Sequence, residues 1–154
     1  MIRVYRIVKP RYEASAWTGE GASKNGGRWN HPGTPCVYCG GSLALTSLEM
    51  LVHLESADVL QAYRVAWIDV DPAQVRDTPV AILPADWDAE PATNASRDFG
   101  TAWLAARQTV ALRVPSVILP AEHNILLNPR HPDFAALARS AFQPFNFDPR
   151  LLKD

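Results

Sequence analysis

Hydrophobic and polar positions along the chain fall into short alternating segments and a few longer periodic ones. The opening "IRVYRIV" mixes β-branched and aromatic residues with arginine and predicts a strand. A loop from Pro10 to Asn30 precedes a second predicted strand near Cys36 to Cys39. "SLALTSLEMLVHLES" places Leu45, Leu48 and Val52 on one helical face with Leu51 at its edge, and Ser42 after Gly40 and Gly41 is the expected N-cap. "QAYRVAWIDVD" is the strongest strand segment; its near-continuous apolar run implies a central place in a sheet. An irregular stretch, "VAILPADWDAEPATN", leads to a second predicted helix over "ASRDFGTAWLAARQ". "TVALRV" and "SVILP" read as two strand segments parted by Pro115. The remainder predicts a short strand at "NILL", a helix from near Pro132, and a last strand from Phe142 to Phe147.

Strands outnumber helices and do not alternate with them, so the expected class is α+β with a twisted, mixed, partly antiparallel sheet rather than a doubly wound one. At 154 residues, with no repeat or low-complexity linker, the chain is expected to be one domain spanning 1–154. A formal charge of −1 supplies no basic excess for nucleic-acid binding. No apolar run approaches the ~20 residues a membrane helix needs, and "MIRVYRIVKPRYE" is too charged for a signal peptide, so a cytoplasmic location is expected.

Cys36 and Cys39 form a CxxC, a spacing used for redox pairs and half zinc sites. Strand parity separates them: Cys36 shares a face with Tyr38, and Cys39 one with Val37. Buried structural thiols without a disulfide are the expected outcome, and no metal site is assigned. GxGxxG, Walker A, GxSxG and HExxH are all absent.

Several polar residues sit awkwardly for a plain core. Arg28 in "NGGRWN" reads either as a surface arginine laid on Trp29 or as a fork for phosphate. Arg6 falls on the face of Ile2, Val4 and Val8, where it needs an anionic partner or an open cleft. Tyr38 is a core residue or a cleft wall that stacks on a planar heterocycle. Glu49 lies inside an apolar helix. It closes a capping box with Thr46, pairs with His53, or serves as a carboxylate at the core edge that stabilises positive charge on a sugar. Ser116 has no evident His/Asp partner and is rejected as a nucleophile. Asp86, Asp88 and Glu90 read as a solvated acidic loop.

Taken together, "GGRWN", "CVYCGGSLALTSLEMLVH", "AWL" near residue 103, "VPSVILP", "NILLNPRHPDF" and "FNFDPRLL" resemble the RES domain in order and spacing, from about Arg6 to Leu152. The family is named for an arginine, a glutamate and a serine, which map to Arg28, Glu49 and Ser116. The resemblance implies a toxin of a bacterial toxin–antitoxin pair with an ADP-ribosyltransferase-like split sheet whose cleft holds NAD as substrate. It implies no resident cofactor, with inorganic phosphate as one candidate co-substrate. Cleavage of the nicotinamide–ribose bond would employ Glu49, Arg28 and Tyr38 as catalytic residues, with Arg6, Ser116 and Asn128 in substrate contact. The acceptor is left open among water, phosphate and a protein side chain. The implied partner is an antitoxin with a helix-turn-helix region whose C-terminal portion blocks the cleft, and neither nucleic acid nor membrane is expected to bind directly. The alternatives are a protein ADP-ribosyltransferase of the same fold and a non-catalytic protein-binding module. An RNA-cleaving toxin is disfavoured by four scattered histidines and a near-balanced charge.

Overall fold

The computed structural model describes residues 1–153 of the chain. Its elements are β1 (Ile2–Val8), α1 (Glu20–Asn25), β2 (Val37–Gly40), α2 (Leu43–Leu51), α3 (Ser56–Val59), β3 (Tyr63–Val70), β4 (Val75–Asp77), α4 (Asn94–Ala106), β5 (Ala111–Pro115), β6 (His123–Leu127), β7 (Ala138–Arg139) and β8 (Gln143–Phe145). All eight strands join one sheet in the order β4-β5-β6-β2-β1-β3-β7, with β8 also on β3. Only β4 and β5 run parallel. The architecture is the α+β class with a mixed sheet that the strand pattern predicts.

Side-chain alternation decides what each sheet face buries. Val37 and Cys39 of β2 join Val4, Ile68, Ile125 and Leu127 in one apolar cluster. The intervening Tyr38 packs on the opposite face, against a cluster of Cys36, Leu112, Leu126 and the α4 residues Trp103 and Leu104. The two cysteines therefore lie in separate clusters on opposite faces, both free and buried. A third cluster, with Ile7, Tyr63, Val65 and Phe147, receives Leu43, Met50 and Leu51 of α2.

The sheet is nearly parted in its middle. β1 and β3 pair continuously from Ile2↔Val70 to Val8↔Arg64, and β2 and β6 pair from Val37↔Leu127 to Gly40↔Asn124. Between β1 and β2 the register holds only Tyr5↔Gly40. Beyond that pair Arg6 bridges the gap, donating from Nε to the Ala16 carbonyl at 2.7 Å and from Nη1 to the Tyr38 carbonyl at 2.9 Å. A side chain here satisfies a backbone acceptor that the missing ladder would otherwise have served.

Several elements differ from the sequence expectation. "SVILP" is not a strand: Ser116 N donates to the Glu122 carbonyl, and Ser116 Oγ accepts from Ile118 N and Leu119 N, winding the segment into a turn. In place of the helix expected from near Pro132 stands a 3-10 turn at Phe134–Ala136, and the last strand shortens to β8. α2 ends at Leu51, short of the full apolar pattern, and Ser42 is its N-cap, accepting from Leu45 N at 3.0 Å. Among the described residues no helix is long and apolar enough to cross a membrane.

Candidate functional site

A cavity of about 980 Å³ opens where β1 and β2 diverge, at the upper end of the ~300–1,000 Å³ usual for ligand pockets. Arg6 and Ile7 of β1, Tyr38 and Gly40 of β2, Glu49 and Met50 of α2, and the 25–29 loop contribute to its wall, together with the segment 90–92 and Pro115, Val117 and Ile118.

Glu49 reaches this cavity from the last turn of α2 and is half-buried. The capping box does not form, because the helix is capped at Ser42 and Thr46 Oγ1 donates to the Ser42 carbonyl, and among the described residues Glu49 makes no pair with His53. One carboxylate oxygen, Oε1, accepts from Ser116 Oγ and from Asn124 Nδ2, each at 2.7 Å. Charge-assisted bonds of this kind fix a carboxylate in both position and rotation. Both fall on one oxygen, and among the described residues Oε2 has no donor.

Ser116 itself is fully buried and absent from the cavity wall. Its hydroxyl donates to Glu49 while accepting the amides of Ile118 and Leu119, so it holds the acid from behind the cavity wall. Asn124, on β6, is the residue that sequence reasoning missed. On β6 it alternates onto the same side as Leu126, and only the fold brings it 75 positions back to Glu49.

Tyr38 presents its ring to the cavity, but its hydroxyl is committed elsewhere. It donates to Asn30 Oδ1 at 2.6 Å and accepts from Trp29 N at 3.0 Å. Burial pushes the phenol well above its ordinary value, so it stays protonated. Asn30, completely buried, spends its amide on the carbonyls of Ala22, His31 and Thr34, so the whole "GGRWN" loop is tied to β2 through one tyrosine. Gly27 is what lets the ring approach: a Cβ there would stand 2.6 Å from the Tyr38 hydroxyl oxygen.

Arg28 enters the cavity from this loop, with its side chain 17% exposed. It does not lie on Trp29. Nη1 donates to the carbonyls of Trp87 at 3.0 Å and Ala89 at 2.7 Å, and Nη2 meets Glu90 Oε2 at 2.7 Å. The loop expected to be merely solvated thus encloses the guanidinium. Behind it Trp29 presses its carbonyl on α4 at Gly100, where any Cβ would collide with that oxygen.

Arg6 lines the cavity with carbonyl rather than acidic partners. Asn128 does not reach it. Its side chain is buried, donating to the Leu104 carbonyl at 2.9 Å and accepting from Arg130 N at 3.1 Å, so its expected substrate contact is replaced by a structural role. Arg6, Arg28, Tyr38 and Glu49 are therefore gathered in one chamber, Ser116 stands directly behind Glu49, and Asn128 lies apart.

Comparison with known proteins bears on this arrangement. The model of the RES domain family matches residues 3–148. A protein of Yersinia enterocolitica named Toxin Res is 41% identical over 150 residues, covering 96% of this chain and 98% of its own. A Sphingobium protein named Prs ADP-ribosylating toxin is 42% identical over 146 residues, covering 92% and 90% respectively. Among solved structures, the M. tuberculosis MbcT–MbcA toxin–antitoxin complex superposes with a TM-score of 0.76 at 23% identity, covering 97% of this chain and 86% of the matched one.

Proposed function

The chain belongs to the RES domain family, and on that premise we propose that it is the toxin of a toxin–antitoxin pair and depletes NAD by cleaving the nicotinamide–ribose bond in the chamber between β1 and β2. The observation that carries this reading is Glu49, a carboxylate in the cavity wall held through Oε1 alone, with no donor on Oε2 among the described residues.

In NAD the nicotinamide nitrogen already bears positive charge. When the bond to the ribose carbon breaks, its electron pair returns to that nitrogen, nicotinamide leaves neutral, and positive charge develops on the sugar. No acid is needed to protonate the leaving group, so the absence of a second carboxylate beside Glu49 is no obstacle. Glu49 Oε2 accepts from the ribose hydroxyls and lowers the energy of the oxocarbenium-like state, the electrostatic half of glycosidase chemistry. Tyr38 supplies an aromatic wall for the nicotinamide ring rather than a proton, because its hydroxyl is fully engaged. Arg28 meets the diphosphate.

Water as acceptor gives ADP-ribose and a proton, and inorganic phosphate gives the ADP-ribosyl phosphate. The Sphingobium relative's description as an ADP-ribosylating toxin favours a second reading, transfer to a protein side chain by the same bond cleavage. The proposed partner is an antitoxin with a helix-turn-helix region that covers the chamber in the cytoplasm, consistent with the solved neighbour being a toxin–antitoxin complex. Incubating purified protein with NAD, with and without phosphate, and measuring free nicotinamide and product mass tests the reaction and its acceptor together. Stable NAD under all conditions would remove the proposal.

A further inference from the structure

Arg28 already holds three acceptors before any ligand arrives, and these partners are unequal. The Trp87 and Ala89 carbonyls belong to backbone anchored by the Trp87 ring, which is 7% exposed, and they hold the guanidinium in place. Glu90 is held only at its tip, and its side chain is 78% exposed against 17% for Arg28. Exposed pairs of this kind are weak and break readily. Nη2 is thus the one terminal nitrogen of Arg28 whose partner can leave.

The remaining charge of the chamber explains what would replace it. Arg6 is spent on two carbonyls and Glu49 on Ser116 and Asn124. Arg97, from the first turns of α4, lines the same wall with no carboxylate partner, its nearest hydrogen-bond acceptor being Asn94 Oδ1 at 3.5 Å. With Glu90 in place the set Arg28, Arg97 and Glu90 carries one net positive charge. With Glu90 withdrawn it carries two, which matches the two negative charges of a diphosphate diester.

We propose that Glu90 is an internal competitor for Arg28: the diphosphate of the substrate binds by exchanging with the Glu90 carboxylate on Nη2, so Glu90 sets the affinity of the chamber for diphosphate-bearing ligands. This rests on the reading of the chamber as an NAD site. Removing the Glu90 charge relieves the displacement step and the repulsion of the entering diphosphate, while leaving the Trp87 and Ala89 carbonyls to hold Arg28. The competitor acts on binding of the remote diphosphate, not on the bond that breaks.

The test compares wild type, Glu90→Gln and Asp88→Asn by nicotinamide release from NAD and by calorimetric binding of inorganic pyrophosphate. Asp88 is exposed on the same loop and removes the same charge without touching Arg28. Glu90→Gln is expected to lower the KM for NAD and the pyrophosphate Kd by about three- to tenfold, the scale of losing one weak exposed pair and a like-charge contact. Its change in kcat should be smaller than its change in KM, and Asp88→Asn should shift either constant by less than about twofold. Unchanged or weaker pyrophosphate binding in Glu90→Gln, or an equal gain in Asp88→Asn, overturns the proposal. If wild type releases no nicotinamide, the NAD reading fails while the pyrophosphate arm still reads the exchange at Arg28.

Discussion

Ser116 Oγ lies 2.7 Å from Glu49 Oε1, joining the turn after β5 to a carboxylate of the chamber wall whose position is fixed by two donors. The serine contributes orientation and the glutamate contributes charge. This division predicts different outcomes for the two residues.

Replacing Glu49 by Gln removes the charge and retains the shape. Nicotinamide release from NAD is expected to fall by at least ~10²-fold, the usual scale for losing one electrostatic stabiliser of a transition state. The thermal midpoint should stay close to that of wild type. Turnover at the wild-type rate would take Glu49 out of the mechanism.

Ser116→Ala deletes a donor to Glu49 and the acceptor for the Ile118 and Leu119 amides. Leaving buried donors unpaired costs about 1–3 kcal/mol, so urea unfolding should show a loss of that size. Asn124→Ala loses only the contact to Glu49 on the acid's side, and is expected to lower kcat with less effect on stability. A Ser116→Ala protein as stable as wild type would mean that its turn is not held by the hydroxyl.

Tyr38 separates a wall from a proton donor. Tyr38→Phe keeps the ring and abandons Asn30 Oδ1 and Trp29 N, so about 1–3 kcal/mol of stability should go while kcat changes little. Tyr38→Ala removes the wall and should reduce turnover far more than Tyr38→Phe does. Equal losses in turnover would indicate chemistry at the hydroxyl.

Gly100 meets Trp29 backbone to backbone. Gly100→Ala drives a methyl into that contact and should destabilise the protein by about 1–3 kcal/mol while shifting the loop that carries Arg28. Thermal unfolding and the KM for NAD measure both effects; an unperturbed KM would show that the loop holds Arg28 without help from α4.

Stability should also decline in alkali. Burial raises the Cys36 thiol, pushes the Cys39 thiol up to about 12, and raises the Tyr38 phenol. Ordinary values are 9.0 for the thiols and 10.0 for the phenol, so the unfolded chain releases these protons first as pH rises. Their contribution is complete below about pH 8.5 and is lost progressively from pH 9 upward toward the folded values. Thermal midpoints recorded from neutral to alkaline pH check this, and Cys36→Ala with Cys39→Ala should flatten the decline. A midpoint that holds constant to high pH would contradict it.

Local signals carried much of this fold. The alternation of β1 and β3, the parity that parts Cys36 from Cys39, and the Ser42 cap with its glycine pair are all set by residues close in sequence. The failures share a cause. "SVILP" has strand-forming side chains, yet Ser116 folds its own backbone back, and the apolar residues that follow line a cavity instead of a ladder. Asn124 and Asn128 are four positions apart on one short stretch, and nothing local tells which faces Glu49 and which is sealed under Leu104. Glu90 is exposed as its acidic loop predicts, but its pair with Arg28 is not written locally because that partner lies 62 positions away. Side chains whose role depends on tertiary neighbours become legible only once those neighbours are placed.

The lone Tyr5↔Gly40 pair has a consequence for tolerance to change. A sheet bonded along its full width has no room inside it; this one acquires a hollow by letting two adjacent strands diverge, and a single planar cation spans the opening toward Ala16 and Tyr38. Lysine in its place would offer a point charge instead of a rigid fork aimed in two directions. Position 6 is therefore where the scaffold and the vessel it encloses are the same object, and a charge-preserving exchange there would loosen both.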